Sequence, residues 1–297
     1  MIVNTQRGGP STGLPTKEEQ SDLMQMIYGT HGDIPKIVLA PTDAEDSFYL
    51  TVEAFNLAEE YQCPVIILSD LQLALGKQTV EQLDFNRVEI KRGELLQGDI
   101  EREEDDKAYF KRYALTASGV SPRPIPGVKG GIHHVTGVEH SQDGKPSESA
   151  QNRQEQTDKR MRKTENLLIS EPVVDDQAYD DADILYIGFI STKGAIQEGK
   201  ARLEQEGVKV NHLQIKQLHP FPTEIVQEAV DKAKKVVVVE HNYQGQLANI
   251  LKMNVNVHQK LVKQTKYDGT PFLPHEIEDK GLEIAKETEG VVTGGNI

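Results

Sequence analysis

The sequence predicts an α/β protein with two parallel-sheet domains, and three observations lead to this class. The chain has 297 residues, which is enough for about two domains with separate cores. Short runs of Ile, Leu and Val alternate with helical segments in two blocks, at residues 36–70 and 183–253. A mostly polar stretch separates these blocks. Strands that alternate with helices in this way are typical of parallel sheets with helices on both faces.

The first block is predicted to contain a shaped loop followed by a βαβ unit. Three glycines and two prolines lie within residues 6–16, a composition that excludes a helix interior or a central strand. Buried strands are predicted at residues 36–41 and 63–70, and the residues between them have the periodicity of a helix. Such a unit predicts parallel strands joined by a right-handed crossover.

A shorter helix is predicted between the loop and the first of these strands. Thr16 and Glu19 have the spacing of a capping box, in which each of the two residues satisfies a main-chain N–H near the other. The helix is expected to end at Tyr28, directly before Gly29.

The second block predicts another parallel sheet. Its three strands are expected at residues 183–190, 208–215 and 235–240, and its helices at 194–206, 223–233 and 245–253. The residues beyond 257 are mostly polar. The sequence therefore predicts a loop at residues 269–274 and frayed backbone at residues 288–297.

Residues 72–181 are predicted to be irregular structure that connects the two blocks. Residues 98–106 are strongly acidic, which is typical of a solvated loop. Residues 151–168 are rich in charged and amide side chains, so we expect an exposed helix. Its basic run at residues 159–163 could face an acidic partner, but a solvated helix face is favoured because the whole chain is acidic.

Composition limits the classes of function. The net charge of -14 argues against broad contact with nucleic acid or with an anionic membrane, which both need clustered Lys and Arg. The single cysteine, Cys63, cannot by itself hold an iron–sulfur cluster, which needs about four thiolates. Cys63 is predicted to be a buried structural thiol. The sequence has no signal-peptide pattern and no apolar run of about 20 residues, so the cytoplasm is the expected compartment.

The loop at residues 6–16 is the strongest candidate site. Arg7 is its one charged side chain, and the glycines beside it let a ligand approach the main chain closely. A guanidinium next to free N–H groups suits a carboxylate or a phosphate. The alternative interpretation is a tight connection with a solvated arginine, which for a glycine-rich loop is as well supported as a ligand site.

Two other groups of polar residues are candidates for a site. Three histidines, His133, His134 and His140, fit no structural zinc template, and we assign no metal to them. Glu240 and His241 end a predicted strand at a position where doubly wound sheets place sites. A packing or interface role is the favoured interpretation for these two residues.

Several long motifs resemble the α subunit of 2-oxoacid:ferredoxin oxidoreductases, particularly the 2-oxoglutarate type. They occur in the order of that family and cover essentially the whole chain. In chain order the motifs are QRGGPSTGLPTK at 6–17, QSDL at 20–23, YGTHGD at 28–33, YA at 113–114, GVSPRPIPG at 119–127, DKRMRK at 158–163 and VEHNYQGQL at 239–247.

The resemblance implies a fold and a substrate site. It implies a partial pyrimidine-type thiamine-diphosphate-binding domain at residues 1–85, an irregular linker at 86–180 and a transketolase C-terminal-like domain at 181–297, with both domains doubly wound. Arg7 stands where the family has an arginine that binds the substrate carboxylate. Ser11 and Thr12 are weaker candidates for the same pocket. This role agrees with the chemistry of arginine, which can clamp a carboxylate with two hydrogen bonds.

The resemblance also implies an activity. The family carries out oxidative decarboxylation of a 2-oxoacid with coenzyme A, and electrons pass to ferredoxin through thiamine diphosphate and iron–sulfur clusters. The cofactor supplies the difficult step. The implied partners are the β subunit and, through the complex, ferredoxin. Thiamine diphosphate with magnesium would be shared with or held by the β subunit, and the iron–sulfur cluster would lie on a partner chain only.

The sequence departs from the family pattern in one important respect. The family carries a Tyr-Pro-Ile-Thr-Pro motif and a glutamate near the thiamine pyrimidine upstream of the loop, and neither is present here. The Gly-Asp-Gly type motif for diphosphate and magnesium, which the family keeps on its β subunit, is also missing. We therefore expect a C-terminal portion of an α subunit, inactive alone, whose first sheet has an unpaired edge. The alternative is a non-catalytic assembly fragment that binds the β subunit.

Overall fold

The structure is a computed structural model that describes residues 1–101, 109–165 and 167–293. The described residues of the first half form two short α-helices, one 3-10 turn, one 13-residue helix and one 18-residue helix among short strands. Its elements are β1 (Ile2–Gln6), α1 (Leu23–Tyr28), β2 (Ile37–Leu39), α2 (Ala44–Tyr61), β3 (Val65–Asp70), α3 (Leu71–Leu75), a 3-10 turn (Phe85–Arg87), β4 (Leu95–Leu96), β5 (Arg123–Pro124) and α4 (Ala150–Arg162).

The second half alternates strands and helices more regularly. Its elements are β6 (Val173–Asp176), β7 (Ala182–Phe189), α5 (Thr192–Gln205), β8 (Val210–Ile215), β9 (Gln217–His219), α6 (Thr223–Asp231), β10 (Ala233–Glu240), α7 (Gln246–Asn254), β11 (Leu261–Thr265) and α8 (Pro274–Thr293). Within the described residues, no helix is both long enough and apolar enough to cross a bilayer.

The first sheet has the strand order β1-β3-β2-β9. Strands β1, β3 and β2 run parallel, and α2 packs its apolar stripe of Leu50, Ala54 and Leu57 against β2 and β3. Strand β9 comes from the second block and pairs antiparallel with β2. The two halves of the chain therefore share this sheet.

The second sheet has the strand order β11-β10-β7-β8-β6, with β6 antiparallel at one edge. Alternate side chains of a strand point to opposite faces, and β7 shows this clearly. Ile184 and Tyr186 pack in one core with α5 and α8. Leu185 and Ile187 lie in another core that also contains side chains of β2, β3, α6 and α7. This second core joins the two sheets.

The predicted α/β class with parallel sheets is confirmed. The βαβ unit is present as β2, α2 and β3, and the three strands predicted for the second block are present as β7, β8 and β10. These elements were predictable because they are buried on both faces and read as continuous apolar runs.

Several local predictions are wrong. Helix α1 begins at Leu23 after Asp22, and the proposed capping box does not form, because Glu19 accepts a hydrogen bond from Gly9 N instead. The predicted loop at residues 269–274 is present, although its last residue, Pro274, already begins α8. The sequence did not predict β11 or α8, and α8 continues to Thr293, where frayed backbone was expected from residue 288. Residues 294–297 lie outside the described residues. Ile277 and Ile284 anchor α8 in the core, and its charged residues concealed this pattern.

The connecting region differs from expectation at one helix. Helix α4 was predicted to be exposed, but Gln156 and Lys159 are buried on one of its faces. The interpretation of the basic run as a solvated face is therefore wrong for Lys159. The predicted acidic loop lies largely outside the described residues, which resume at Tyr109.

Candidate functional site

Residues 7–17 follow β1 directly and form a closed turn structure, called here the Arg7 hairpin. Leu14 N donates to Gly8 O at 2.9 Å, and Gly8 N donates to Lys17 O at 3.0 Å. Gly13 has a φ of +45°, and a Cβ at this position would lie 2.5 Å from Gly8 O. Only glycine fits there. The hairpin lies at the carboxyl end of a parallel strand, where α/β sheets commonly bind ligands.

Main-chain carbonyls of the hairpin hold the Arg7 guanidinium. Its Nη1 donates to Thr12 O at 2.6 Å and to Gly8 O at 3.3 Å, and its Nη2 donates more weakly to Ser11 O at 3.4 Å. A guanidinium has five N–H donors, and these contacts use three of them. Within the described part of the chain, Nε–H and one N–H of Nη2 have no hydrogen-bond partner. Arginine can bind a carboxylate through two such N–H donors.

The three predicted site residues, Arg7, Ser11 and Thr12, lie together in the structure, but Ser11 and Thr12 contact Arg7 through their main chains. Ser11 and Thr12 contact Arg7 through their carbonyl oxygens, and both residues are exposed. They therefore position the guanidinium in this structure.

A buried polar network lies directly after the hairpin, and the sequence did not predict it. Gln20 is fully buried, and its Nε2 donates to Asp70 Oδ2 at 2.8 Å and to Phe189 O at 3.2 Å. Its Oε1 accepts from His241 N at 3.1 Å. Asp70 and Phe189 end β3 and β7, and His241 directly follows β10. One amide side chain thus connects strand ends from both sheets.

The carboxylate of Asp70 is the acceptor at the centre of this network. It has no exposed surface, and its Oδ2 also accepts from Ser191 Oγ at 2.6 Å and from Ser191 N at 3.2 Å. Its Oδ1 accepts from Leu73 N at 3.0 Å and so caps α3. Four hydrogen bonds therefore satisfy a fully buried carboxylate, as burial of such a group requires.

Glu18 has the most perturbed carboxyl group beside the hairpin. Its Oε2 accepts from Gln72 N at 2.6 Å, while its Oε1 is buried without a partner in the described residues. Burial, with a further contribution from the negative charge of Asp70, raises the pKa of Glu18 to about 8. The carboxyl group therefore carries a proton at neutral pH.

Glu240 and His241 have the contacts of packing residues. The Glu240 carboxylate accepts from Leu247 N at 2.8 Å and from Ala248 N at 3.0 Å, at the start of α7. Burial raises its pKa. The His241 ring lies 4.8 Å from the Phe272 ring, and burial lowers the pKa of His241 to about 4, so the imidazole is neutral. Its Nε2 has no hydrogen-bond partner in the described residues.

The residues of this region suit a carboxylate better than a metal ion with a diphosphate. Within residues 1–101, 109–165 and 167–293, no three His, Cys, Asp or Glu side chains are grouped to hold a metal ion. Glu18 and Asp70 are buried and already hydrogen-bonded, and the Glu19 carboxylate accepts a hydrogen bond from Gly9 N of the hairpin. The described side chains therefore do not by themselves form a site for a magnesium diphosphate group.

Comparison with known families identifies the class of protein. Residues 1–159 match the family described as pyruvate flavodoxin/ferredoxin oxidoreductase, thiamine-diphosphate-binding. Residues 182–277 match core domain II of pyruvate:ferredoxin oxidoreductase. Both matching families are oxidoreductase families, and the first is described as thiamine-diphosphate-binding. The chain belongs to the pyruvate flavodoxin/ferredoxin oxidoreductase family.

Individual relatives agree with this assignment. The α subunit of 2-oxoacid:ferredoxin oxidoreductase 2 from Aeropyrum pernix is 36% identical over 278 residues, which are 91% of this chain and 41% of the relative. The 2-oxoglutarate oxidoreductase subunit KorA of Mycobacterium tuberculosis is 36% identical over 280 residues, 93% of this chain and 41% of that protein. The chain therefore spans about two fifths of the length of these curated relatives.

A solved structure is similar over nearly the whole chain. It is the 2-oxoglutarate:ferredoxin oxidoreductase from Magnetococcus marinus, with 2-oxoglutarate, coenzyme A and succinyl-CoA bound. The TM-score is 0.87 at 37% sequence identity, and the match covers 96% of this chain and 48% of that chain. The predicted family resemblance is confirmed.

Proposed function

We propose that this chain provides the carboxylate-binding arginine of a 2-oxoacid:ferredoxin oxidoreductase, with 2-oxoglutarate as the substrate. The observation that supports this proposal is the state of Arg7. Three carbonyl contacts fix its guanidinium, and the Nε–H and one Nη2–H remain available for a ligand within the described residues. A 2-oxoacid presents a carboxylate that can accept both bonds.

The chain's own residues would bind and orient the substrate. A guanidinium that is already fixed loses little conformational entropy when it binds, so its interaction favours one orientation of the carboxylate. The Gln20 network would keep the hairpin in place relative to both sheets. The protonated carboxyl of Glu18 would avoid adding negative charge beside an anionic substrate.

The remaining chemistry belongs to other parts of the complex. Thiamine diphosphate supplies the electron sink for decarboxylation when it is bound, and we propose that the β subunit holds or shares it together with magnesium. The iron–sulfur cluster would lie on a partner chain, since this sequence has one cysteine and a cluster takes about four thiolates. Coenzyme A as co-substrate and ferredoxin as electron acceptor complete the proposed reaction.

A second candidate function is assembly without catalysis. The edge of the first sheet favours this role. Within the described residues β1 pairs on one side only, and it exposes 52% of Ile2 and 58% of Val3. An exposed apolar edge strand is a ready surface for association. The chain would then bind the β subunit through this edge.

Reconstitution of the complex tests the proposed function. The chain would be co-expressed with the β subunit and the remaining segments of a full-length relative, and reduction of ferredoxin or a dye would be followed. We expect reduction that depends on both 2-oxoglutarate and coenzyme A. A stable complex that reduces no acceptor with any 2-oxoacid would contradict the catalytic proposal and favour the assembly role.

A further inference from the structure

A small cavity near the end of α4 is lined by cations. It has a volume of about 160 Å3 and is called here the cationic pocket. Among the residues that the structure describes, no carboxylate belongs to its lining. Its charged, histidine and tyrosine lining residues are Arg112, Tyr113, His140, Lys159, Arg160 and Lys163.

Lys159 is the most unusual residue of the pocket. Only 4% of its surface is exposed, yet its ammonium makes no hydrogen bond or ion pair within the described residues. The centroid of the Tyr113 ring lies 5.9 Å from its Nζ. Burial, together with the like charges of Lys163 and other neighbours, lowers the pKa of Lys159 to about 8. A buried cation without a counter-charge destabilises the folded state, and such groups are concentrated at functional sites.

Of the neighbouring cations in the pocket, only Arg160 has a carboxylate partner within the described residues. Glu139 neutralises Arg160 through two hydrogen bonds of 2.9 and 2.7 Å. Arg112 Nη2 instead donates to Gln62 Oε1 at 2.7 Å, and Lys163 Nζ donates to the main-chain oxygen of Gln62 at 2.9 Å. Both acceptor oxygens are neutral. Within the described chain, three positive charges of the pocket therefore have no carboxylate partner.

The walls of the pocket are held in place. The Tyr113 ring lies 3.9 Å from the His140 ring and 5.5 Å from the Arg112 guanidinium carbon. Gln156 Nε2 donates to Tyr113 O at 3.1 Å, which fixes this segment against α4. Nearby Cys63 brings no negative charge, because burial raises the pKa of its thiol to about 11. The cations are thus held together in a preformed cavity.

We propose that the cationic pocket binds a phosphate group, either as free phosphate or as the monoester of a small molecule. A phosphate dianion offers at least three strong acceptor oxygens and up to two negative charges, which matches three unneutralised cations better than a single carboxylate does. The cavity has room for one small oxyanion. Binding would relieve the repulsion among Lys159, Lys163 and Arg112.

Calorimetric titration of the full chain tests this site. The probes are inorganic phosphate and glycerol 3-phosphate, each at constant ionic strength maintained with sodium chloride. Lys159→Gln should weaken binding by about ten-fold or more, because it removes a charge-assisted hydrogen bond, while Lys159→Arg should largely retain it. The matched control is Lys252→Gln, since Lys252 is exposed on α7. The control should bind like the wild type.

A stability measurement keeps the test independent of any folding defect. Lys159→Met replaces a buried cation with an apolar side chain of similar length, so we expect a higher melting temperature that phosphate no longer raises further. Phosphate should raise the melting temperature of the wild type above that in chloride at equal ionic strength.

Tighter binding of the monoester would identify a phosphorylated small molecule as the ligand, and tighter binding of phosphate would identify the free ion. Absence of binding to both probes in the wild type, or equal affinity in Lys159→Gln and Lys252→Gln, would overturn the proposal.

Discussion

Gln20 donates a 2.8 Å hydrogen bond to the carboxylate of Asp70, and both side chains are fully buried. The two residues are 50 positions apart and join the segment after the Arg7 hairpin to the end of β3. Gln20 also binds the main chain of His241, so the same side chain reaches the second sheet. The hairpin is therefore anchored by the contact between the two sheets.

Replacement of Gln20 should destabilise the fold strongly. In Gln20→Ala, the buried N–H of His241 loses its side-chain partner, and the buried Asp70 carboxylate loses one of its four hydrogen bonds. We expect the free energy of unfolding in urea to fall by about 2 to 4 kcal/mol, since each unsatisfied buried group costs about 1 to 3 kcal/mol. Gln25→Ala on the exposed face of α1 is the matched control and should change it by less than about 0.5 kcal/mol. If both variants lose the same free energy of unfolding, the Gln20 network does not contribute to stability.

Glu18 should make stability depend on pH. Its pKa of about 8 in the folded state lies above the ordinary value of 4.5, so the folded state binds this proton more tightly. Its contribution is complete below pH 4.5 and is lost as pH rises toward 8, with a slope of at most about 1.4 kcal/mol per pH unit. Glu18→Gln cannot titrate. The free energy of unfolding of Glu18→Gln minus that of the wild type should therefore increase between pH 5 and 8. If the two free energies change with pH in parallel, the assignment is contradicted.

The Arg7 hairpin should require glycine at one of its positions and tolerate alanine at another. A Cβ on Gly13 would come within 2.6 Å of both Gly8 O and Gly9 O, whereas a Cβ on Gly9 meets nothing within 4 Å. Gly13→Ala should therefore open the hairpin and speed hydrogen exchange of the Leu14 amide, which donates to Gly8 O. Gly9→Ala is the matched control. Unchanged exchange in Gly13→Ala would show that the hairpin is not closed in solution.

The parts of the fold that were predictable from sequence are those buried on both faces. Strand β10 contains four consecutive valines, all fully buried. A run of β-branched apolar residues predicts few structures other than a buried strand. Strands β1 and β11 were missed because they lie at sheet edges, where half-exposed positions carry polar residues as well. The pairing of β1 also depends on β3, which is distant in sequence.

The candidate site was predictable only where its signal is local. The glycines and prolines around Arg7 show that the loop has a defined shape, and the family motif indicates its role. Gln20 and Asp70 gave no such signal, since a buried polar pair looks like two ordinary polar residues until the chain folds. Lys159 was misread for the same reason, because its burial depends on Tyr113 and Gln62 far away in the sequence.

The apparent KM for 2-oxoglutarate of the reconstituted complex with Arg7→Ala is the most direct test of the proposed substrate site. Loss of a bidentate charge pair costs about 2 to 4 kcal/mol, so we expect the KM to rise by at least about 30-fold. Arg87→Ala, which removes an exposed arginine of the same half of the chain, is the matched control and should leave the KM unchanged. If Arg7→Ala and Arg87→Ala give the same KM as the wild type, Arg7 does not bind the substrate carboxylate.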